Sequence, residues 1–422
     1  MTREFKALMK LVGCAAQGTV AKDMPAELDW QKIEDLADAQ GVKTLVGYAL
    51  RLSPKLACPQ QLRAGMIAEM RQAAFSNHSW KNAIMQLLTD MNDAGIHVLL
   101  MKGYAVADCY AAPDCRLSGD TDLLIAPEDE KLACKFLKEK GFMVNPRWKN
   151  GHHSVCNHPQ YGCVELHVQL YDEIVEEVWF EKISENEFIK EPHLLVETEA
   201  GKYYTLGYTD HFIFLILHMI KHFILSGLTI QMMLDAALYF KTHADRIDAD
   251  RVWDTVNSFH YDKLLDCVLW ATIQHCGFTA EDFPGIGNEP PEQVDALLSD
   301  LEEGGWMGCS DEEARKQGWH EYNKNIMLKK RSKLGYVLHM LAWNFGILKT
   351  ALFPPVQKLQ KSFPYARKQP VLLPIAWLHR LFVGGGKAIK RGNLIRGVVL
   401  NESQIGAVGQ KRANLFRNLG MM

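Results

Sequence analysis

The order of apolar and polar residues predicts an α/β (α+β) chain with a central sheet between mainly helical regions. Residues 1–95 have apolar side chains at helical spacing, for instance Trp30, Ile33 and Ala37. Residues 96–205 contain short apolar or alternating segments of strand length, and residues 206–280 are again helical. We therefore divide the chain into these three regions and a fourth, 281–422, which differs in charge.

The first predicted strand is the apolar run Ile96–Met101, which stops at Lys102 and Gly103. A helical segment, Tyr104–Tyr110, follows it. A glycine directly after a strand lets the backbone approach a phosphate, and a lysine beside it can add positive charge. The alternative is that Lys102 is an ordinary surface lysine.

A D-x-D motif, Asp120 and Asp122, runs into the apolar strand that continues to Ile125. Residues i and i+2 of a strand point to the same face, so both carboxylates converge there. Like charges held this close repel one another unless a cation lies between them. The motif therefore predicts a site for Mg²⁺ (or Mn²⁺), which takes carboxylates together with substrate phosphate oxygens.

A second D-x-D, Asp248 and Asp250, lies in a polar stretch that no apolar strand supports. We interpret it as a solvated helix end or turn.

A third carboxylate is predicted at Glu165, in the alternating segment 163–170. Residues 151–156 are its expected hairpin partner, with the turn at 159–162. An exposed edge strand would show the same alternation, so that alternative stays open. His167 shares the face of Glu165, where it could orient Glu165, contact substrate or face solvent.

Arg116 lies four residues before Asp120, within reach of phosphates bound near the metal. Its alternative role is an ion pair with Asp114 or Asp120.

His218 and His222 are one helical turn apart on one face, but the residues between them do not form the H-E-x-x-H pattern of a zinc protease. They are either a buried structural pair beneath the site or, together with Asp235, part of the wall of a nucleotide or acceptor cleft.

In this order, Lys102-Gly103, Arg116, Asp120-Thr121-Asp122 and Glu165-Leu166-His167 resemble a bacterial nucleotidyltransferase family. This family is the largely uncharacterised lysine-glycine, D-x-D and E-x-H branch of the polymerase-beta-like superfamily, and the resemblance extends from residue 28 to 240. It implies a nucleotidyltransferase-fold catalytic core at 96–205 and a helical region at 206–280 that completes the cleft. The superfamily usually has Gly-Ser at the first turn, where this chain has Lys102-Gly103.

The resemblance also implies metal-dependent transfer of a nucleoside monophosphate from a nucleoside triphosphate, with release of pyrophosphate. Asp120, Asp122 and Glu165 would hold Mg²⁺ or Mn²⁺, and Lys102, Gly103 and Arg116 would bind the nucleotide. The acceptor hydroxyl or phosphate could belong to a sugar, a metabolite, a protein or a lipid-linked molecule. The alternatives are a phosphoryl transferase and a non-catalytic nucleotide-binding or membrane-peripheral pseudoenzyme of the same fold.

The last region is divided by charge. Residues 281–313 contain eleven acidic residues and no Lys or Arg, which favours a connecting loop or short helices. Residues 322–401 contain fifteen Lys and Arg, no Asp or Glu, and many aromatic residues. Their longest uncharged run, 334–348, is too short to span a bilayer. The basic part is therefore expected to pack on the core as helices or to lie on an anionic membrane surface; nucleic acid is disfavoured because no binding module is recognisable.

The ten cysteines form no C-x-x-C pair, and no secretory signal is recognisable at the N-terminus. We therefore expect free thiols and a cytoplasmic protein. If the basic region binds lipid, the protein would lie at the inner face of the membrane as a peripheral protein.

Overall fold

The computed structural model describes residues 1–25, 27–147, 152–170, 189–225, 227–304, 411–412 and 414–421. The chain divides into two compact units, Met1–Asp311 with Leu415–Met421, and Glu312–Asn414 with Met422. The expectations for the basic region 322–401 lie outside the described residues. Within the described part, no helix is both long enough and apolar enough to cross a membrane.

In the described residues before the sheet there are four α-helices, as the helical spacing of apolar residues predicts. They are α1 (Arg3–Gln17), α2 (Trp30–Ala39), α3 (Lys43–Leu52) and α4 (Gln60–Asp93). Thr2 caps α1 by accepting a hydrogen bond from the Phe5 amide, and Gly18 ends this helix in the left-handed conformation. The last turns of α4 bury Ile84, Leu88 and their neighbours against the sheet, so this long helix covers one sheet face.

The middle of the chain forms a mixed sheet. Its strands are β1 (Val98–Leu100), β2 (Thr121–Ile125), β3 (Met143–Asn145), β4 (His153–His158), β5 (Gly162–His167), β6 (Leu194–Thr198) and β7 (Gly201–Thr205). Among the described residues, the α-helices between these strands are α5 (Tyr104–Ala107) and α6 (Glu130–Glu139). The spatial order is β3-β4-β5-β2-β1-β7-β6, in which β2 is parallel to β5 and antiparallel to β1.

The sheet confirms most of the predicted local structure. The hairpin of β4 and β5 turns between His158 and Gly162, close to the expected 159–162. The helical segment after Gly103 is shorter than predicted, because α5 ends at Ala107 rather than Tyr110. Helix α6 ends before Gly141, which adopts a positive φ of 93° and lets the chain turn into β3.

Helices follow the sheet in the described residues. They are α7 (Tyr208–Leu225), α8 (Ile230–Thr242), α9 (Ala249–Ser258), α10 (Asp262–Cys276) and α11 (Val294–Gly304). Asp248 of the second D-x-D is exposed and caps the start of α9, which confirms its interpretation as a helix end. The cysteines in the described part of the chain are all free thiols.

Candidate active site

The D-x-D motif lies where β2 begins. Asp120 precedes the strand and Asp122 is its second residue, so the motif joins a loop to the sheet. The side chain of Asp122 is 3% exposed, whereas that of Asp120 is 34% exposed. Asp120 therefore meets the surrounding solvent, and Asp122 lies buried behind it.

Strand pairing brings Glu165 to these two aspartates. Asp122 on β2 and Glu165 on β5 are partners in the parallel register. The His167 Nε2 atom donates a hydrogen bond to Asp122 Oδ1 at 2.9 Å and lies 3.5 Å from Glu165 Oε2. The alternative that Glu165 lies on an edge strand is wrong, because β5 lies between β4 and β2. Asp122, Glu165 and His167 form a cluster whose donor atoms could hold a metal ion.

Burial and neighbouring charges shift the pKa values of the two aspartates in opposite directions. Burial opposes the charged form of Asp122, but Lys102 and His167 outweigh it and hold its pKa below the usual range. Burial raises the pKa of Asp120, and the negative charges of Asp122 and Glu165 add to this rise although Lys102 opposes it. Positive charge between these carboxylates is therefore strongly stabilised.

Lys102 supplies such a charge and is not a surface lysine. Its Nζ lies 3.0 Å from Asp122 Oδ2 and 3.5 Å from Asp120 Oδ1, and only 14% of its side chain is exposed. Burial disfavours the ammonium, but the two aspartates overcome this effect and raise the pKa of Lys102. The lysine and the carboxylates thus stabilise one another's charge.

Gly103 allows the sharp turn that follows β1. Its φ of 71° and ψ of −110° are unfavourable for residues with a Cβ, and a Cβ here would lie 3.2 Å from Ser118 Oγ. The neighbouring backbone is fixed by His211, whose Nε2 donates to the Met101 carbonyl at 2.6 Å. Burial lowers the pKa of His211 to about 4, so the ring stays neutral.

Arg116 pairs with neither Asp114 nor Asp120, so the alternative partners predicted from the sequence are wrong. Its Nε and Nη2 donate to the two carboxylate oxygens of Asp235 on α8, at 3.0 and 2.6 Å. Tyr110 also donates to Asp235 Oδ1, at 2.7 Å. Burial works against the guanidinium, but Asp235 raises the pKa of Arg116. Arg116 Nη1 is buried and has no hydrogen-bond partner among the described residues.

A cavity of about 240 Å³ lies between the loop that carries the motif and helices α7 and α8. Its polar wall comprises Lys102, Arg116, Ser118, Asp120, His218, His222, Thr229, Gln231 and Asp235. Of the residues that the sequence suggested as cleft-lining, His218, His222 and Asp235 line this cavity. His167 does not; it lies beside Asp122.

His218 and His222 are half-buried and belong to the wall of this cavity, the place that the second of the two alternatives drawn from the sequence gave them. His218 Nε2 lies 3.2 Å from Lys102 Nζ, and the two imidazole rings are 4.5 Å apart. Burial and the nearby Lys102 lower the pKa of His218 well below its usual value and that of His222 to about 3. Neutral His218 can therefore accept a hydrogen bond from Lys102.

Several residues at the site were not singled out from the sequence. Tyr110 and Gln231 were missed because they bind residues over a hundred positions away, at Asp235 and the Leu117 carbonyl. His152 and His153 were assigned only to the hairpin, yet their rings lie 5.0 and 5.1 Å from that of His167. The sequence did contain a signal for these two residues, because two adjacent histidines stand at the start of the strand that was expected to pair with the E-x-H strand.

The sequence of this chain matches the model of the uncharacterised nucleotidyltransferase family over residues 26–276. The match covers more than half of the chain, and the chain belongs to this family. No curated protein is significantly similar to it in sequence. A crystal structure of an antigenic nucleotidyltransferase-like protein from Paracoccidioides brasiliensis has 16% sequence identity, with a TM-score of 0.28, and the match covers 39% of this chain and 77% of that one.

Proposed function

We propose that this protein is a metal-dependent nucleotidyltransferase that moves a nucleoside monophosphate from a nucleoside triphosphate to an acceptor hydroxyl or phosphate. The observation that carries the proposal is the convergence of Asp120, Asp122 and Glu165 beside the cavity that Lys102 and Arg116 line. Family membership supports the general class of reaction, and the cluster supports its dependence on a metal.

The donor atoms of this cluster fit a hard divalent cation. Asp122 Oδ2 is paired with the Lys102 ammonium at 3.0 Å, and an ionised carboxylate has lone pairs enough to accept this contact and to bind a cation as well. Asp120 and Glu165 add carboxylate oxygens, the atoms that Mg²⁺ and Mn²⁺ prefer. Bound there, the cation would neutralise charge on the triphosphate and on the oxygen that leaves with pyrophosphate.

The residues of the chain have separate tasks in this proposal. His167 holds Asp122 in place, while Lys102 donates to the triphosphate from the wall of the cavity. Arg116 keeps its plane fixed against Asp235 and offers the N–H groups of Nη1 to a phosphate oxygen. In this proposal one carboxylate oxygen of Glu165 serves the cation, and the other accepts the proton of the acceptor hydroxyl. The acceptor oxygen bonds to the α-phosphorus, and the bond from that phosphorus to the pyrophosphate oxygen breaks.

We expect labelled nucleotide to report this reaction directly. Purified protein is incubated with Mg²⁺ or Mn²⁺, a cell extract, and each nucleoside triphosphate labelled in turn at the α- or the γ-phosphate. The proposal predicts transfer of the α-label and release of the γ-label as pyrophosphate. Transfer of the γ-label would instead establish a phosphoryl transferase.

Two aspartate variants make this experiment specific. Asp122→Asn keeps the size of the side chain but removes its charge, and we expect it to lower transfer by more than about a hundredfold. Asp250→Asn makes the same change in the exposed second D-x-D and should leave transfer unchanged. Equal activity in wild type and Asp122→Asn, or absence of any transfer with a native extract, would contradict the proposal.

A further inference from the structure

The ammonium of Lys102 touches both the aspartates of the D-x-D motif and the cavity. Its Nζ lies 3.0 Å from Asp122 Oδ2, 3.5 Å from Asp120 Oδ1 and 3.2 Å from His218 Nε2. The Lys102 side chain also lines the cavity, where the proposed function places the triphosphate. One cationic group therefore lies where the cation site and the nucleotide site meet.

The N–H groups of Lys102 are matched by its neighbours. An ammonium carries three N–H groups, and Asp120, Asp122 and His218 supply three polar neighbours. To donate to a phosphate oxygen, Lys102 must therefore leave one of them. Asp120 and His218 line the cavity and Asp122 does not, so a turn of the ammonium towards the cavity draws it away from Asp122.

The contact with Asp122 sets the ammonium against a divalent cation. The carboxylate has lone pairs enough for both, so the two positive groups compete through charge rather than through space. The side chains of Lys102 and Asp122 are largely buried, where water screens charge poorly, and like charges a few ångströms apart repel one another strongly there. The carboxylates therefore bind a cation more weakly while the ammonium stays with Asp122.

A triphosphate removes this repulsion. Its negative charges attract the ammonium and offer new acceptors to the N–H groups of Lys102. Once Lys102 donates to the phosphates, Asp122 is left to the divalent cation, and the phosphate charge lies between the two positive groups.

We propose that Lys102 couples these two binding events, so that the carboxylate centre binds its divalent cation tightly only together with a nucleoside triphosphate. This inference rests on the proposed function, because it takes the cation and the triphosphate to share one site. The coupling is reciprocal: the factor by which the nucleotide raises the affinity for the cation is also the factor by which the cation raises the affinity for the nucleotide.

The test measures two affinities of the full-length protein after any bound metal has been stripped with a chelator. The first is the affinity for Mn²⁺ alone, followed by the electron paramagnetic resonance signal of free Mn²⁺. The second is the affinity for a nucleoside triphosphate analogue that cannot be cleaved at the α–β bond, measured by calorimetry with Mn²⁺ or with chelator. In wild type we expect the analogue to bind at least about tenfold more tightly with Mn²⁺, and equal affinity in the two conditions overturns the proposal.

Lys102→Met keeps most of the side-chain volume and removes the charge. We expect it to raise the affinity for Mn²⁺ alone at least about tenfold and to reduce the effect of Mn²⁺ on the analogue by a similar factor. A lysine that only stabilised the fold would not lower metal affinity in this way. Lys102→Gln should show the same two changes and replaces Lys102→Met if that variant loses the wild-type circular dichroism. Unchanged or weaker binding of Mn²⁺ alone in the folded variant shows the inference to be wrong.

Lys81→Met is the matched control, because Lys81 Nζ lies 2.6 Å from Asp108 Oδ1 and only 10% of the lysine side chain is exposed. This variant should keep both affinities of wild type. If it raises the affinity for Mn²⁺ as much as Lys102→Met does, the contact with Asp122 is not the cause and the proposal is wrong.

Asp122→Asn separates this inference from the proposed function. If Mn²⁺ still strengthens binding of the analogue to this variant, the cation does not bind at these carboxylates and the proposed function fails. If Asp122→Asn abolishes that effect while the Lys102 variant matches wild type in both affinities, the metal site stands and only the coupling through Lys102 is wrong.

Discussion

At the scale of single residues, two largely buried groups of charged side chains lie at the cavity. On one side of the cavity, Lys102 is paired with Asp120 and Asp122. On the other side, Arg116 is held by Asp235. A buried charge is costly without its partner, so each group depends on the other members being present. The arginine pair also holds the loop that carries Arg116 to α8.

The Arg116–Asp235 pair should therefore be important for stability. We expect Asp235→Ala to lower the free energy of unfolding by about 3–5 kcal/mol, because it leaves the guanidinium buried and unpaired. Replacing both members, as Arg116→Met with Asp235→Leu, should restore part of that loss. Urea unfolding followed by circular dichroism measures each value.

An exposed ion pair gives the comparison for this prediction. Lys140 and Asp90 are 2.5 Å apart, with side chains 38% and 26% exposed. Asp90→Ala should cause only a small loss, since water and salt screen such a pair. Similar losses for Asp235→Ala and Asp90→Ala would contradict the importance of the buried pair.

At the scale of elements, the site depends on short connections at the ends of β1 and β2. The backbone amide of Met101 donates to the Asp122 carbonyl, and Ser118 Oγ donates to the Asp120 carbonyl at 2.7 Å. These bonds fix the turn that carries Lys102 against the loop that carries the aspartates. Gly103 follows Lys102 directly and its Cβ position faces Ser118 of that loop, so its backbone angles influence the distance between the lysine and the carboxylates.

Gly103→Ala tests that dependence. The new methyl group must tolerate a positive φ and a contact of 3.2 Å with Ser118 Oγ, so we expect a loss of about 1–3 kcal/mol of stability. Nucleotide transfer should fall as well, because Lys102 moves with the turn. Urea unfolding and the labelled-nucleotide assay report the two effects.

Gly65→Ala is the control, and we expect it to raise stability where Gly103→Ala lowers it. Gly65 lies within α4, is exposed and has open space around its Cβ position. Alanine should stabilise the helix there by about 0.5–1 kcal/mol and leave transfer unchanged. If Gly103→Ala behaved like Gly65→Ala, the turn would not need glycine.

At the scale of the whole molecule, local patterns in the sequence were enough to predict β1, β2, β4, β5 and the motif, whereas β3, β6 and β7 were not singled out. The apolar run before Lys102 and the alternation around Glu165 specify β1 and β5, because side-chain direction in a strand has a period of two. The pairing of β7 with β1 was not predicted, since its parallel contact of Leu99 with Tyr204 joins residues over a hundred positions apart.

The partners within the site could be predicted less well than its motifs. The sequence offered Asp114 or Asp120 as the alternative partner of Arg116, but its partner Asp235 is 119 positions away on α8. The proximity of His152 and His153 to His167 depends on the register of the β4–β5 hairpin. A one-residue shift of that register would turn the side chains of the shifted strand to the opposite face of the sheet. Contacts of this kind follow from tertiary packing and leave little trace in a single sequence.

The central claim is that Asp120, Asp122 and Glu165 hold a divalent cation against a nucleotide in the cavity. It is tested most directly by a crystal structure with Mn²⁺ and a nucleoside triphosphate analogue that cannot be cleaved at the α–β bond, using the anomalous signal of manganese. We predict a manganese peak bound by oxygens of Asp120, Asp122 and Glu165, with the triphosphate reaching Lys102 and Arg116. Nucleotide bound in the cavity without manganese at these carboxylates, or bound elsewhere on the protein, would contradict the account.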